Sequence, residues 1–181
     1  MATVARKLTA EEFFREYESA PGKHELIRGV AYNMAGGTGR HAIATANILI
    51  ALGNQLAGKP CRALAEMGVA LADESVLYPD VAIFCDPRDL GAADERQFRH
   101  PAFVVEVLSP TTRRFDLNEK LELYKALPSV RAILLIDPVS EVLFWHNRTE
   151  TGWRADWLTP PEELDLAGFD FTLPRADIFA R

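Results

Sequence analysis

Cysteine is nearly missing from this chain. Two occur in 181 residues, Cys61 and Cys85, and they form no CxxC pair. That excludes a disulfide-rich secreted scaffold, and free thiols in a reducing cytoplasm are the simple expectation. The four histidines, His24, His41, His100 and His146, show no zinc-ligand spacing. Long apolar runs are missing as well. Stretches such as Leu134-Leu135-Ile136 are far short of the roughly 20 residues of a membrane span. Residues Met1 to Lys7 lack the apolar segment of a secretory signal, so no membrane association is expected. Positive charge is scarce: 20 Lys and Arg face 26 Asp and Glu, for a net charge of -6. This excludes a broad basic surface for nucleic acid. An acidic cleft that holds a cation remains possible.

What is present is enough for one folded domain. The chain is 48% hydrophobic and 25% charged, with a mean hydropathy of -0.06, which is unlike a disordered segment. At this length about 70% of the unfolded surface can be buried, so the core needs no staple. No repeat, linker or low-complexity tract divides the sequence, and a single domain over residues 1–181 is expected.

The pattern begins with a short helix, opened by a capping box between Thr9 and Glu12 and ended by Pro21-Gly22. His24 to Ile27 and Val30 to Met34 read as a hairpin around Arg28-Gly29. Gly36 to Gly39 reads as a loop. A helix from about His41 to Ala57 follows without one charged residue. Ile48, Leu49, Leu52 and Leu56 form one face, while Ile43 and Ile50 lie on the other. Such a helix is covered on two sides, by the sheet and by a partner or second layer. A homodimer is therefore expected, unless Phe13 and Phe14 of the first helix supply the cover.

Strand-like runs follow: Cys61 to Leu71, Val81 to Phe84, and Phe103 to Leu108. A helix is predicted from Leu117 to Leu127, then a strand from Ala132 to Ile136. A late hairpin spans Val142 to His146 and Trp153 to Leu158. From Pro160 onward the chain is punctuated by proline, with Phe169, Phe171 and Leu173 alternating. This order predicts a mixed α/β (α+β) domain with helices on a central sheet.

Three charged residues break the apolar pattern. Glu106 sits in the run from Ala102 to Leu108, on the same strand face as Val104 and Leu108. A carboxylate there is paired, protonated or bound to a cation, unless the strand is an exposed edge. Asp80 follows Pro79 at a strand start and gains meaning only beside Glu106. Lys120 falls, at about 100° per residue, in the apolar arc of Leu121, Tyr124 and Leu127. It faces the sheet or snorkels to the helix edge. An Asp116–Glu119 capping box would put it in the first turn. Two carboxylates joined by a lysine suit Mg²⁺ or Mn²⁺ chemistry on a phosphate, with Asp80, Glu106 and a backbone carbonyl near Val107 as ligands. A methionine at 120 would suit the apolar arc.

Further residues in the same order carry a resemblance. Glu25-Leu26-Ile27-Arg28-Gly29, His41, Pro79-Asp80-Val81-Ala82, Glu106-Val107-Leu108-Ser109-Pro110-Thr111, Asp116, Glu119-Lys120 and Tyr124 resemble the Uma-two family of restriction endonucleases. That family belongs to the PD-(D/E)xK phosphodiesterase superfamily, and the likeness runs from about Leu8 to Phe179. It implies a restriction-endonuclease-like central mixed sheet flanked by helices, with an N-terminal helix and hairpin. By resemblance Asp80 is the aspartate of the PD element and Glu106 the acid of (D/E)xK. The lysine expected two residues later is Leu108, and Lys120 of the next helix is its match. The resemblance also places Glu25 near the metal and His41 at a helix start facing the site. A surface glutamate and a plain helix-start histidine are the alternatives. Ser109 and Asp116 are expected to hold the loop and cap the helix.

The function implied is a Mg²⁺- or Mn²⁺-dependent endonuclease acting on nucleic acid, with DNA as the substrate. Arg113 and Arg114 are the phosphate-binding candidates near the site. Two alternatives stay open: a catalytically silent binding or assembly module, and a hydrolase of another phosphate ester.

Overall fold

The computed structural model describes residues 6–34, 37–158, 163–165, 169 and 171–180. Helix α1 (Ala10–Tyr17) starts at the predicted capping box: Thr9 Oγ1 accepts from Glu12 N–H, and the Glu12 carboxylate accepts from Thr9 N–H at 2.9 Å. Strands β1 (Lys23–Ile27) and β2 (Val30–Met34) form the predicted hairpin. Its two-residue turn has Arg28 and Gly29 both at positive φ, 49° and 84°, the geometry that matches strand twist. Helix α2 (Gly39–Leu56) follows, N-capped by Thr38. Of the predicted glycine loop, Gly36 lies outside the described residues.

The run from Cys61 to Leu71 is two strands rather than one. β3 (Arg62–Ala65) and β4 (Gly68–Ala70) belong to different sheets. The chain leaves the first sheet at Glu66, at φ 54°. Gly68 then lies so close to its neighbours that a Cβ would stand 2.7 Å from the Arg96 carbonyl oxygen. β3 is an edge strand with Arg62 and Ala65 exposed, while β4 is buried throughout, and a single strand-like run does not show the change of sheet between them.

The chain continues through β5 (Val76–Leu77), β6 (Val81–Phe84), α3 (Pro87–Leu90), β7 (Gln97–Phe98) and β8 (Pro101–Val107). Next come α4 (Arg113–Phe115), a π turn (Asp116–Lys120) and α5 (Leu121–Ala126), then β9 (Ala132–Asp137), β10 (Val142–Thr149) and β11 (Gly152–Leu158). The end holds β12 (Glu163–Asp165), β13 (Thr172–Pro174) and α6 (Arg175–Phe179). Pro160, where the punctuated stretch was expected to begin, lies outside the described residues; Phe171 and Leu173 join the core.

One sheet has the order β11-β10-β9-β8-β6-β3 and a second the order β2-β1-β5-β4-β7. Each contains one parallel pair, β8 with β9 and β4 with β7. Alternation along the central strands sorts their side chains into two cores. Val81, Ile83, Phe103, Val105 and Leu134 meet Ile48 and Leu52 of α2. Ala82, Phe84, Val104, Ile133 and Leu135 meet Leu121 and Tyr124 together with Ile27 and Leu77 of the second sheet. Both faces of the central strands are thus covered, as their continuous apolar runs require. Phe13 of α1 packs with Leu26 and Val76 instead of on α2, so Ile43 and Ile50 stay 47% and 61% exposed. No helix among the described residues is long and apolar enough to cross a membrane.

The expectation of two free thiols is overturned. Cys61 and Cys85 form a disulfide. Arg62 of β3 pairs with Phe84 of β6, which sets the two flanking cysteines opposite each other. Strand register makes the pair, and spacing in sequence does not show register. The cysteines therefore no longer argue for a reducing compartment. Closing a loop of this length is worth about 3 kcal/mol in the unfolded chain. Urea unfolding with dithiothreitol should show a loss of that order, and Cys61→Ser protein should be insensitive to the reductant.

Candidate active site

Strand β8 is buried along its whole length. The alternation that sends Val105 to the α2 side sends Glu106 to the other, beneath the helix carrying Lys120. The antiparallel register Val81↔Val105 brings Asp80 beside the end of β8. There Val107 N–H donates to Asp80 Oδ2 at 2.7 Å. The Asp80 carboxylate is thus held by the neighbouring strand's backbone.

Lys120 is 2% exposed. Its Nζ lies 2.7 Å from Glu106 Oε1 and 2.9 Å from Glu25 Oε1. Both the snorkelling lysine and the surface glutamate at 25 are excluded by this geometry. Glu25 Oε1 also accepts from Tyr78 N–H at 2.7 Å. Tyr124, one helical turn after Lys120, donates its hydroxyl to Glu106 Oε1 at 2.7 Å. The role of Tyr124 has a signal in the sequence: it shares the arc of Lys120, and a buried tyrosine hydroxyl needs a partner.

The helix is built differently from the prediction. It begins at Arg113, with Thr112 as its first flanking residue. Asp116 is therefore inside the helix and caps nothing: its N–H donates to the Thr112 carbonyl, and its side chain is buried. Leu121 N–H reaches the Asp116 carbonyl, five residues back, which makes the π turn. Turns of this kind recur at functional sites. Ser109 does hold the preceding loop, through the Thr111 and Thr112 hydroxyls and Thr112 N–H.

His41 opens α2, with Nε2 3.2 Å from Asp80 Oδ2. Gly37 lies against its ring, where a Cβ would stand 2.7 Å from Nδ1. Glu25, His41, Asp80, Glu106, Asp116 and Lys120 line one cavity of about 460 Å³, with Val107 at its wall. Lys23 and Glu66 form an ion pair of 3.0 Å at the same cavity. Arg113 turns away to Asp137, and Arg114 is exposed. Neither arginine lines the cavity.

Apart from the Lys23–Glu66 pair, four carboxylates here face one ammonium. Burial would lower the Lys120 pKa, but Glu106, Glu25 and Asp116 outweigh it and hold the amine above its ordinary value. Burial raises Glu106 well above the carboxylate range; Lys120 opposes this, while Asp80, Asp116 and Glu25 add to it. Asp116 is raised in the same way, burial first. The hydrogen bond to Asp80 raises His41, against burial. The site thus carries an excess of buried negative charge, which a cation would relieve.

A divalent cation fits this donor set. Among the described residues no group of three His, Cys, Asp or Glu side chains is arranged to hold a metal. Mg²⁺, however, usually takes only one or two carboxylates and keeps its waters. Asp80 and Glu106 would supply those carboxylates at the wall of the cavity, where Val107 N–H and His41 meet Oδ2 of the first and Tyr124 and Lys120 meet Oε1 of the second.

The same geometry revises the expectation that Lys120→Met is benign. Removing the ammonium strands two buried carboxylates, at a cost of about 3–5 kcal/mol at neutral pH. The Glu106 pKa then rises further. A raised carboxylate destabilises the fold once pH exceeds its unfolded value of about 4.5. Lys120→Met should therefore regain stability as pH falls toward 5, and adding Glu106→Gln should recover part of it at neutral pH. Denaturant melts across pH check both. Asp80→Asn should return the His41 pKa toward its ordinary value, read by NMR titration. In the wild type, the stability linked to His41 is full below about 6.5 and lost as pH rises through the raised value.

Comparison with known proteins supplies an independent finding. Residues 10–176 match a family model, Uma2, described as "Putative restriction endonuclease". A Synechocystis sp. (strain PCC 6803) protein, slr1290, is 32% identical over 155 residues, covering 84% of this chain and 78% of its own. A second protein of that strain, sll1609, is 30% identical over 139 residues, 76% of this chain and 78% of its own. Among solved structures, a "putative nuclease belonging to DUF820" from Anabaena variabilis superposes with a TM-score of 0.77 at 18% identity, covering 95% of this chain and 97% of the other. At that identity the likeness concerns the fold.

Proposed function

The chain belongs to the Uma2 family, and from that premise we propose that it is a Mg²⁺- or Mn²⁺-dependent endonuclease that hydrolyses phosphodiester bonds in DNA. The observation that carries this reading is the buried Lys120 ammonium, held between Glu25 and Glu106 beside Asp80 at an open cavity. A lysine that only neutralised core acids would have no need of a cavity or of a further carboxylate fixed beside it.

Asp80 and Glu106 would hold the cation, with Val107 at the same wall. Bound there, the ion supplies positive charge to a phosphate oxygen. The remaining work falls to the chain's own groups. Lys120 stays protonated, so it is a donor and a fixed charge, not a base. It can stabilise the negative charge that builds at phosphorus in the transition state. Tyr124 and Lys120 fix the rotamer of Glu106, and Val107 N–H fixes that of Asp80. His41 Nε2, 3.2 Å from Asp80 Oδ2, steadies that carboxylate from the other side.

Two copies of the chain, in this reading, meet through Ile43 and Ile50 of α2. Light scattering at high micromolar concentration should give a dimer, and a monomer would refute the pairing.

Mn²⁺ at a hundredfold excess over its dissociation constant should stabilise the protein by about 2.7 kcal/mol. Asp80→Asn and Glu106→Gln should each remove most of that gain and abolish plasmid nicking. Lys120→Met should lose about a hundredfold or more in rate. Unchanged melting temperatures in millimolar Mn²⁺, with no nicking by the wild type, would refute the nuclease reading.

A further inference from the structure

Tyr32 of β2 and Phe115 at the end of α4 line the cavity that holds Glu25, Asp80, Glu106 and Lys120. Their ring centroids are 5.8 Å apart and their planes are inclined by 34°. Tyr32 remains 46% exposed, while Phe115 is half-buried. The two rings come from different layers, the hairpin and the helix, and meet only at the cleft. Core packing accounts poorly for Tyr32. It sits on a strand at the end of its sheet, next to exposed residues, with nearly half of a large ring in water.

Charge sharpens the point. The chain is acidic, neither Arg113 nor Arg114 lines the cavity, and Lys23, His41 and Lys120, which do, are each paired with a carboxylate. A polyanion cannot be held here by a basic surface, which otherwise supplies most nucleic-acid affinity. Contacts that do not depend on phosphate charge must supply the rest. Base–aromatic stacking is such a contact, and it tolerates any base sequence because every base has a π face.

We infer that Tyr32, backed by Phe115, is the stacking platform for the nucleobase next to the scissile phosphate, so that the cleft takes a single-stranded or locally unpaired nucleotide. The inference rests on the nuclease reading. Phe115 fixes the Tyr32 ring from one side, and the exposed part of the ring receives the base. A base inside a duplex already has both faces covered by its neighbours, so only an unstacked one gains here. Because Phe115 directly precedes Asp116 and the π turn, the platform is tied to the same segment that places Lys120.

The test uses Glu106→Gln protein without added metal, so that the substrate is not consumed, and a single-stranded oligonucleotide. A fluorescent adenine analogue is moved through each position in turn. One or two adjacent positions should be quenched on binding. An abasic nucleotide at those positions should weaken binding about tenfold, while abasic sites elsewhere have little effect. Tyr32→Leu and Phe115→Leu should lose the quenching and the abasic discrimination together, although leucine preserves an apolar contact between hairpin and helix. A blunt duplex of the same sequence should bind more weakly than the single strand. Tight binding with no position quenched, or equal affinity for abasic and intact strands, overturns the stacking inference and leaves the nuclease reading intact. The abasic series needs no change in the aromatic residues, so it decides even if a leucine variant fails to fold. No binding of any oligonucleotide, with no nicking by the wild type, overturns both.

Discussion

A single buried ammonium joins three parts of this molecule. Lys120 on the helix, Glu106 on the central strand and Glu25 on the hairpin come from separate layers, and Nζ lies within 3 Å of both carboxylates. None of the three charges is tolerable alone at that depth. The ammonium is tolerable only with a carboxylate beside it, and the two carboxylates only with the ammonium, so the site forms when both sheets and the helix are in register. This makes the cluster a condition on the fold as much as a piece of chemistry. The cost is that acids outnumber the cation. Glu106 is pushed toward its protonated form, and the apo site is poorer in positive charge than its geometry demands.

The rest of the architecture fixes the angle at which Lys120 arrives. Arg148 of β10 donates to the carbonyls of Lys125, Leu127 and Val130, so the end of α5 is fastened to the strand layer. Ser109 ties the other end of the connection. Between these anchors the π turn takes up an extra residue. Lys120 and Tyr124, four apart, then both reach Glu106 Oε1. Asp80 is held by a backbone amide rather than by a side chain, and that amide belongs to the residue next to Glu106. A shift of β6 against β8 would therefore disturb both acids at once.

Much of this was legible in the sequence, and the reasons differ residue by residue. Glu106 and Lys120 stood out because each breaks an apolar period, and burial of a charge is a strong physical signal. The hairpin and its Arg28-Gly29 turn were legible because a two-residue turn has local chemistry. What stayed hidden depends on register or on helix ends. The Cys61–Cys85 pair follows from which strand lies beside which, and the break at Glu66 is a change of sheet inside one strand-like run. Asp116 looked like a cap because Asp and Glu three apart fit a capping box, yet the helix already begins at Arg113. Glu25 and His41 carried no pattern violation of their own, since a half-polar hairpin and a helix start accept such residues freely. Only the likeness to a family singled them out.

On the nuclease reading, an acidic protein that acts on a polyanion faces an electrostatic contradiction, and the site would resolve it by borrowing charge. Two opposed requirements meet at Asp80 and Glu106. A divalent ion there would need them ionised, and folding without one needs them shielded. Lys120 supplies part of that shielding from inside, and His41 supplies a second part at Asp80. Neither completes it, and the acids that line the cavity still outnumber its cationic side chains. Replacing an acid by its amide would therefore relieve repulsion in the site and remove a ligand of the proposed metal. Stability without the ion and activity with it should vary in opposite directions along such a series. A merely structural ion pair would show the reverse, since every loss of an acid would leave the buried lysine unpaired and weaken the fold whether or not metal is present.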